Sequence, residues 1–390
     1  MKVKTIVLAL SALAVAPVAM ADVTMYGFIS GAVESVSATG NSTAARPSSG
    51  RVADNNSRIG FSGNEDLGNG VKTIWQVENS LKYFDQGGTN DAGSSATLAT
   101  RNSFIGLTSN TWGTVQMGYY DTAYKRLTNG GVNIMADTAA DIDGTTTNVA
   151  SIFSRGEARL KNSVHYTSPL LYGFQAGASY GFDESENTTT HTSAQSRISL
   201  AANYTWQGLL VAAGWDRQNN TAGYLGYFTG VNGTSTATNG LSYAAGQHVD
   251  FSKLVLSYKF PTNTTLAAGV EHGSYGVVGS SAMGQTGWTV AATQDIGNWS
   301  LRASYSKLGG LSNTYDPDAF KSNEWVLGTI YSLSKTTQVL GYYARIDNSA
   351  MANVDFANTP IYTTNVGSSS ATLSAGNRLS VLGIGLKKSF

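Results

Sequence analysis

The chain has 390 residues, and 13% of them are Asp, Glu, Lys or Arg, against about 25% in an ordinary soluble domain. Its 25 basic residues balance 25 acidic ones, which argues against nucleic acid or a strongly charged surface as partner. Gly (44) and Tyr (20) are abundant, Pro (6) is scarce, and the absence of Cys excludes disulfides as a source of stability.

The first 21 residues read as a secretory signal. Lys2 and Lys4 give a basic start, Ile6 to Val18 is apolar, and Ala19-Met20-Ala21 offers a small-residue cleavage site. The mature chain is then expected to be 22–390, with 23 basic against 25 acidic residues and a net charge of −2. After residue 21 no apolar run reaches the roughly 20 residues that a membrane-spanning helix needs.

Period-two alternation runs from there to the end. Ile198, Leu200, Ala202, Tyr204 and Trp206 alternate with Arg197, Ser199, Ala201, Asn203 and Thr205. Trp299, Leu301, Ala303 and Tyr305 alternate with Ser300, Arg302, Ser304 and Ser306, and the chain closes on Leu382, Ile384, Leu386 and Phe390. The pattern predicts sixteen strands, near 23–36, 56–66, 70–82, 100–109, 113–121, 158–167, 172–183, 195–206, 208–218, 247–260, 263–274, 284–296, 298–308, 322–333, 336–347 and 377–390. Tight links such as Leu67–Asn69, Gln207 and Pro261-Thr262 alternate with long polar ones, including 38–54, 83–99, 122–157, 219–246 and 348–376.

A soluble β-sandwich would also alternate. Here, however, one face of several strands ends in Trp or Tyr, as at membrane interfaces, and the other is too small and polar to build a sandwich core. That polar face requires water. An all-β transmembrane antiparallel barrel supplies it inside, with short periplasmic turns and long outer loops, and sixteen strands leave an aqueous channel.

Several motifs then carry a resemblance. They are Val23-Thr24-Met25-Tyr26-Gly27, the run Ser57 to Gly68 with Arg58-Ile59-Gly60-Phe61 at its start, Gln76-Val77-Glu78, Arg101 to Leu107, Trp112 to Val115, Arg159 to Pro169, and the terminal Phe390. In this order they resemble the general diffusion porins of Gram-negative outer membranes, over essentially the whole mature chain. The resemblance implies a homotrimer of sixteen-stranded barrels in outer-membrane lipid. It also implies a third outer loop folded into the lumen, where its acids face basic wall residues across an eyelet. Position by position, Arg58, Arg101 and Arg159 fall on wall arginines of that family and Glu78 on its acidic wall position.

The residues support those assignments. Ile59 and Phe61 form the apolar face of their strand, which turns Arg58 inward. Leu160, Val164 and Tyr166 share one parity, which is expected to turn Arg159 and His165 inward. An arginine facing mid-membrane lipid would cost about 2–4 kcal/mol. The segment 122–157 is 36 residues long without strand pattern, and so is the expected constriction loop. Its acids are Asp137, Asp141 and Asp143, with Asp121 and Glu157 at its ends. Against the family pattern, Ser30 stands where an acid is usual and Tyr119 where an arginine is frequent.

The expected activity is passive diffusion of ions and small hydrophilic solutes, weakly anion-selective, with no cofactor and no metal. A sugar-specific channel is the alternative, with inward Tyr26, Phe28 and Tyr120 as its candidate track. An enzyme is not expected, since only His165, His191, His248 and His272 exist and none has the spacing of a catalytic cluster.

Overall fold

The computed structural model describes residues 23–40, 46–81, 98–143, 151–184, 186–223, 241–361 and 375–390. The expected signal segment 1–21 lies outside them.

Each alternating segment forms a strand whose two faces differ. On β13 (Met283–Ile296), Gln285, Gly287, Thr289 and Ala291 are buried while Thr286, Trp288 and Val290 are exposed. The strands in chain order are β1 (Thr24–Thr39), β2 (Arg46–Asp54), β3 (Arg58–Gly68), β4 (Val71–Ser80), β5 (Ser103–Ser109), β6 (Gly113–Asp121), β7 (Arg159–Thr167), β8 (Phe174–Gly181), β9 (Arg197–Trp206), β10 (Leu209–Gly223), β11 (Leu241–Lys259), β12 (Thr264–Tyr275), β13, β14 (Trp299–Leu311), β15 (Ser322–Ser332), β16 (Thr337–Asn348) and β17 (Arg378–Ser389). Sequence neighbours pair antiparallel except β2 and β3, which both pair with β1, and β1 pairs with β17 from Phe28↔Ser389 to Thr39↔Arg378, closing the sheet. Phe390 completes the seam by exchanging two backbone hydrogen bonds with Gly27.

The barrel has sixteen staves although seventeen segments pair. β2 and β3 lie end to end along β1, Gly31↔Asp54 being followed by Phe28↔Arg58, and Asn55-Asn56-Ser57 interrupts them. Part of the expected loop 38–54 is therefore strand. Its sequence, Arg46-Pro47-Ser48-Ser49-Gly50, has weak strand propensity, and pairing with β1 overrides it. The expected loop 219–246 is likewise shortened, because β10 and β11 pair up to Gly223↔Leu241.

Outside, the wall is apolar. Leu301, Leu327, Leu382 and Ile384 are exposed, as expected of the lipid-facing residues of a barrel. Trp112, Trp206, Phe260 and Trp299 lie beside the tight turns, forming one interfacial belt. The turns have the backbone that short hairpins require. Asn69 and Gly70 both take positive φ (54° and 74°), as in a type I′ turn.

Candidate functional site: the inner wall and the segment after strand six

Residue 122 opens the segment that leaves β6. Thr122 caps a short helix, α1 (Ala123–Leu127), accepting the Lys125 N–H. Beyond it the described parts, 122–143 and 151–157, pack on the inward side of the wall. Four wall glycines mark the path: Gly177 lies under Ala123 and Leu127, Gly214 under Tyr124, Gly269 under Phe153 and Gly328 under Met135. Any side chain there would occupy the space of the segment. Arg302 of β14 donates to the Ile134 carbonyl at 2.6 Å, tying the first part of the segment to a distant strand of the wall.

The root of the segment is fixed by buried charge. Lys253 of β11 pairs with Glu157 at 2.6 Å and also donates to the Ser154 hydroxyl. Glu271 of β12 accepts the Tyr124 hydroxyl at 2.6 Å and the backbone N–H groups of Arg155 and Gly156. Isolated buried charges would be costly, and here each meets a partner on the other element.

Arg58, Arg101, Arg159 and Glu78 come together as one charged wall on β3 to β7. Arg58 Nη2 lies 2.6 Å from both carboxylate oxygens of Asp137, and Asn56 donates to Asp137 at 2.8 Å. Arg101 Nε donates to Glu78 Oε1 at 2.6 Å, and its Nη1 donates to Asn56. The second oxygen of Glu78 accepts the Tyr26 hydroxyl, which has room because Gly60 faces it. Arg159 pairs with Asp121 at 3.0 Å and donates to Asn102. Thus the loop acids do not serve all three arginines. Only Arg58 meets one, Arg101 is paired within the wall, and Arg159 is paired at the base of the loop.

The three expected loop acids separate. Asp137 meets the wall. Asp141 is buried and organises the loop instead, accepting the backbone N–H groups of Asp137 and Asp143 and the side-chain amides of Asn133 and Asn358. Among the described residues, Asp143 accepts a long side-chain contact from Asn133 at 3.4 Å and forms a bridge with Phe153.

The parity argument for Arg159 fails for a local reason. Gly118 faces Ser163 while Tyr120 faces Leu160, so Lys161 and Asn162 together oppose Tyr119 in a bulge, with Asn162 at φ 47°. Leu160 consequently packs over Gly181 on the inward side. Asp121 and Asn102, rather than alternation, hold Arg159. His165 does turn inward, buried between the hydroxyls of Ser163 and Ser179.

Sequence reasoning missed Lys387. It lies 3.7 Å from Asp137 and 3.8 Å from the ring centroid of Phe28, whose ring also meets Arg58 at 4.5 Å. The clue was present: Leu382, Ile384 and Leu386 face out, so Lys387 faces in. Arg302 was visible in the same way, opposite Leu301 and Ala303. The expected inward turn of Tyr26, Phe28 and Tyr120 is seen, each in contact with a wall group.

The family model described as Gram-negative porin matches residues 7–351. The major outer membrane protein P.IB of Neisseria meningitidis serogroup A is 30% identical over 346 residues, covering 87% of this chain and 92% of that protein. P.IB of Neisseria gonorrhoeae is 36% identical over 183 residues, so the match spans about half of each chain, 46% of this one and 48% of that one. Among solved structures, the anion-selective porin from Comamonas acidovorans has a TM-score of 0.68 at 19% identity, covering 95% of this chain and all of that one. OmpT, an outer membrane protein of Vibrio cholerae solved in a trimer form, has a TM-score of 0.64 at 16% identity, covering 95% and 99%. At those identities the structures share the fold. The family match and the meningococcal relative go further, and the chain belongs to the Gram-negative porins of the outer membrane.

Proposed function

We propose that the chain is a passive channel for ions and small hydrophilic solutes, weakly anion-selective, working as a homotrimer in outer-membrane lipid. Arg58, Arg101, Arg159 and Glu78 act as the constriction wall and 122–157 as the constriction loop, with Asp137 as its wall-facing acid. One observation carries the sign of selectivity. Among the wall charges named above, the cations Arg58, Arg101, Arg159, Lys387 and Arg302 outnumber the carboxylates Glu78 and Asp121, Asp137 is shared between Arg58 and Lys387, and Asp141 behind it is held by the amides of Asn133 and Asn358. The excess charge on this wall is positive, and fixed charge at a narrow, low-dielectric site raises the local concentration of counter-ions. The Comamonas neighbour is an anion-selective porin.

A sugar track is disfavoured because the inward aromatic faces are already used. Phe28 is covered by Arg58 and Lys387, and Tyr120 packs edge-on with Phe104 and His165. An enzymatic role for His165 is disfavoured by its burial between two serines. Planar-bilayer recording of the purified protein across a salt gradient tests the proposal. The expected result is ohmic conductance with a reversal potential on the anion side. Closed membranes, block by micromolar sugar, or hydrolysis lost in His165→Ala would each overturn it. A monomer mass in detergent would remove the trimer.

A further inference from the structure

As one of the long outer loops, the last connection, 348–376, would border the mouth. Its described part does otherwise. Between residues 352 and 361, Ala352, Val354, Phe356, Ala357 and Ile361 are buried. Val354, Phe356 and Ile361 share one apolar cluster with Ile134, Met135 and Ile142 of the crossing segment and with Val36, Ala38, Leu379 and Val381 on the inward side of β1 and β17. A loop that only bordered the mouth would leave such residues in water. Here they avoid that cost by filling the space between the wall and the segment after strand six.

Two polar contacts give this packing direction. From the wall, Arg51 of β2 pairs with Glu34 at 2.6 Å, and Tyr342 donates to the other oxygen of Glu34. The remaining donors of Arg51 go to the carbonyls of Thr359 and Pro360, at 2.6 and 2.7 Å. Next to this clamp, Asn358 donates to Asp141 Oδ2 at 2.7 Å, the same oxygen that accepts the Asp137 N–H at 2.8 Å. Asp137 in turn meets Arg58. A continuous chain of contacts therefore runs from β2 through residues 358–360 to the carboxylate facing the arginine wall. Asp137 needs such support, since it holds a left-handed backbone at φ 71°.

We propose that residues 352–361 form a second inner element of the pore, and that Asn358 is a positioning residue which sets ion selectivity by holding Asp137 through Asp141. The inference rests on Asp137 being a pore-lining acid. Loss of the Asn358 amide frees the loop at Asp141, lets Asp137 withdraw from Arg58 and Lys387, and leaves those cations less compensated.

The test is reversal potential in planar bilayers for Asn358→Ala, Asp137→Asn and the double variant, with Asn358→Gln as a milder replacement that retains the amide. Asn358→Ala is expected to shift selectivity towards anions, in the direction of Asp137→Asn and by less. In the Asp137→Asn background it should produce no further shift. A merely structural role would change conductance in both backgrounds alike. The inference is overturned if Asp137→Asn shifts the potential but Asn358→Ala does not, or if Asn358→Ala shifts it equally in both backgrounds. If Asp137→Asn itself leaves the potential unchanged, the pore-lining reading fails and takes this inference with it.

Discussion

Arg58 and Asp137 stand 79 residues apart in the chain, yet Arg58 Nη2 touches both oxygens of the Asp137 carboxylate at 2.6 Å. Both side chains are only one-fifth exposed, so the cost of desolvating the two charges offsets much of their attraction and the pair is weak evidence for stability. Its value lies in where the charge sits. Asp137→Asn is expected to free Arg58 and Lys387 and move the reversal potential towards anions, while Arg58→Ala moves it towards cations. Both variants should fold. The shifts should shrink as ionic strength rises past about 0.1 M, where screening acts within ~10 Å. Shifts of the same sign in the two variants would show that this pair does not set selectivity.

Gly328 predicts a steric result. A Cβ there would lie 2.5 Å from the Met135 sulfur, at the far end of a flexible side chain. Gly328→Ala should be absorbed by rotation of Met135. Gly328→Leu should push the segment off the wall towards the open part of the pore, at a cost of about 1–3 kcal/mol. Single-channel conductance is expected to fall for Gly328→Leu and to stay unchanged for Gly50→Leu, where nothing lies within 4 Å. Equal conductance in all three proteins would mean that the segment at Met135 does not limit flow.

The barrel was legible because its physics is local. Each strand declares its two faces by alternation, and each hairpin its turn residues, so most strand limits fall within a few residues of expectation. The charged wall was partly legible for the same reason. What alternation could not reveal were the breaks in it. The bulge at Lys161–Asn162 moves Leu160 inward, and the interruption at Asn55–Ser57 lets weak strand formers pair with β1. Nor could it assign partners to the loop acids. Asp137, Asp141 and Asp143 look alike in sequence, and only long-range packing sends one to Arg58 and another to Asn358.

Lys253 and Glu157 form the tightest buried ion pair at the root of the crossing segment, each side chain almost wholly enclosed. Lys253→Met leaves the Glu157 carboxylate without its cation and should destabilise the protein by about 3–5 kcal/mol. Adding Glu157→Gln removes the stranded charge and should recover most of that loss. Thermal unfolding in detergent micelles reads both. A double variant as unstable as Lys253→Met alone would place the cost in lost packing of the lysine stem against Tyr124 and Phe153 rather than in charge.

Leu327 tests which side of the sheet meets lipid. It lies mid-strand on β15 with 57% of its surface exposed, next to Gly328, which pairs in register with Arg302 of β14. An arginine is therefore already accommodated at that height, but on the inward side, where it bonds the Ile134 carbonyl. Leu327→Arg puts the same group on the outward side and should cost about 2–4 kcal/mol in a bilayer. Folding into lipid vesicles, followed by denaturant titration, should show a lower midpoint for Leu327→Arg. In Arg302→Leu the inward side loses two bonds, to the Ile134 carbonyl and the Ser300 hydroxyl, and no comparable gain should appear. If Leu327→Arg leaves the midpoint where it was, that face does not touch hydrocarbon, and the assignment of inside and outside on which the charged wall depends is reversed.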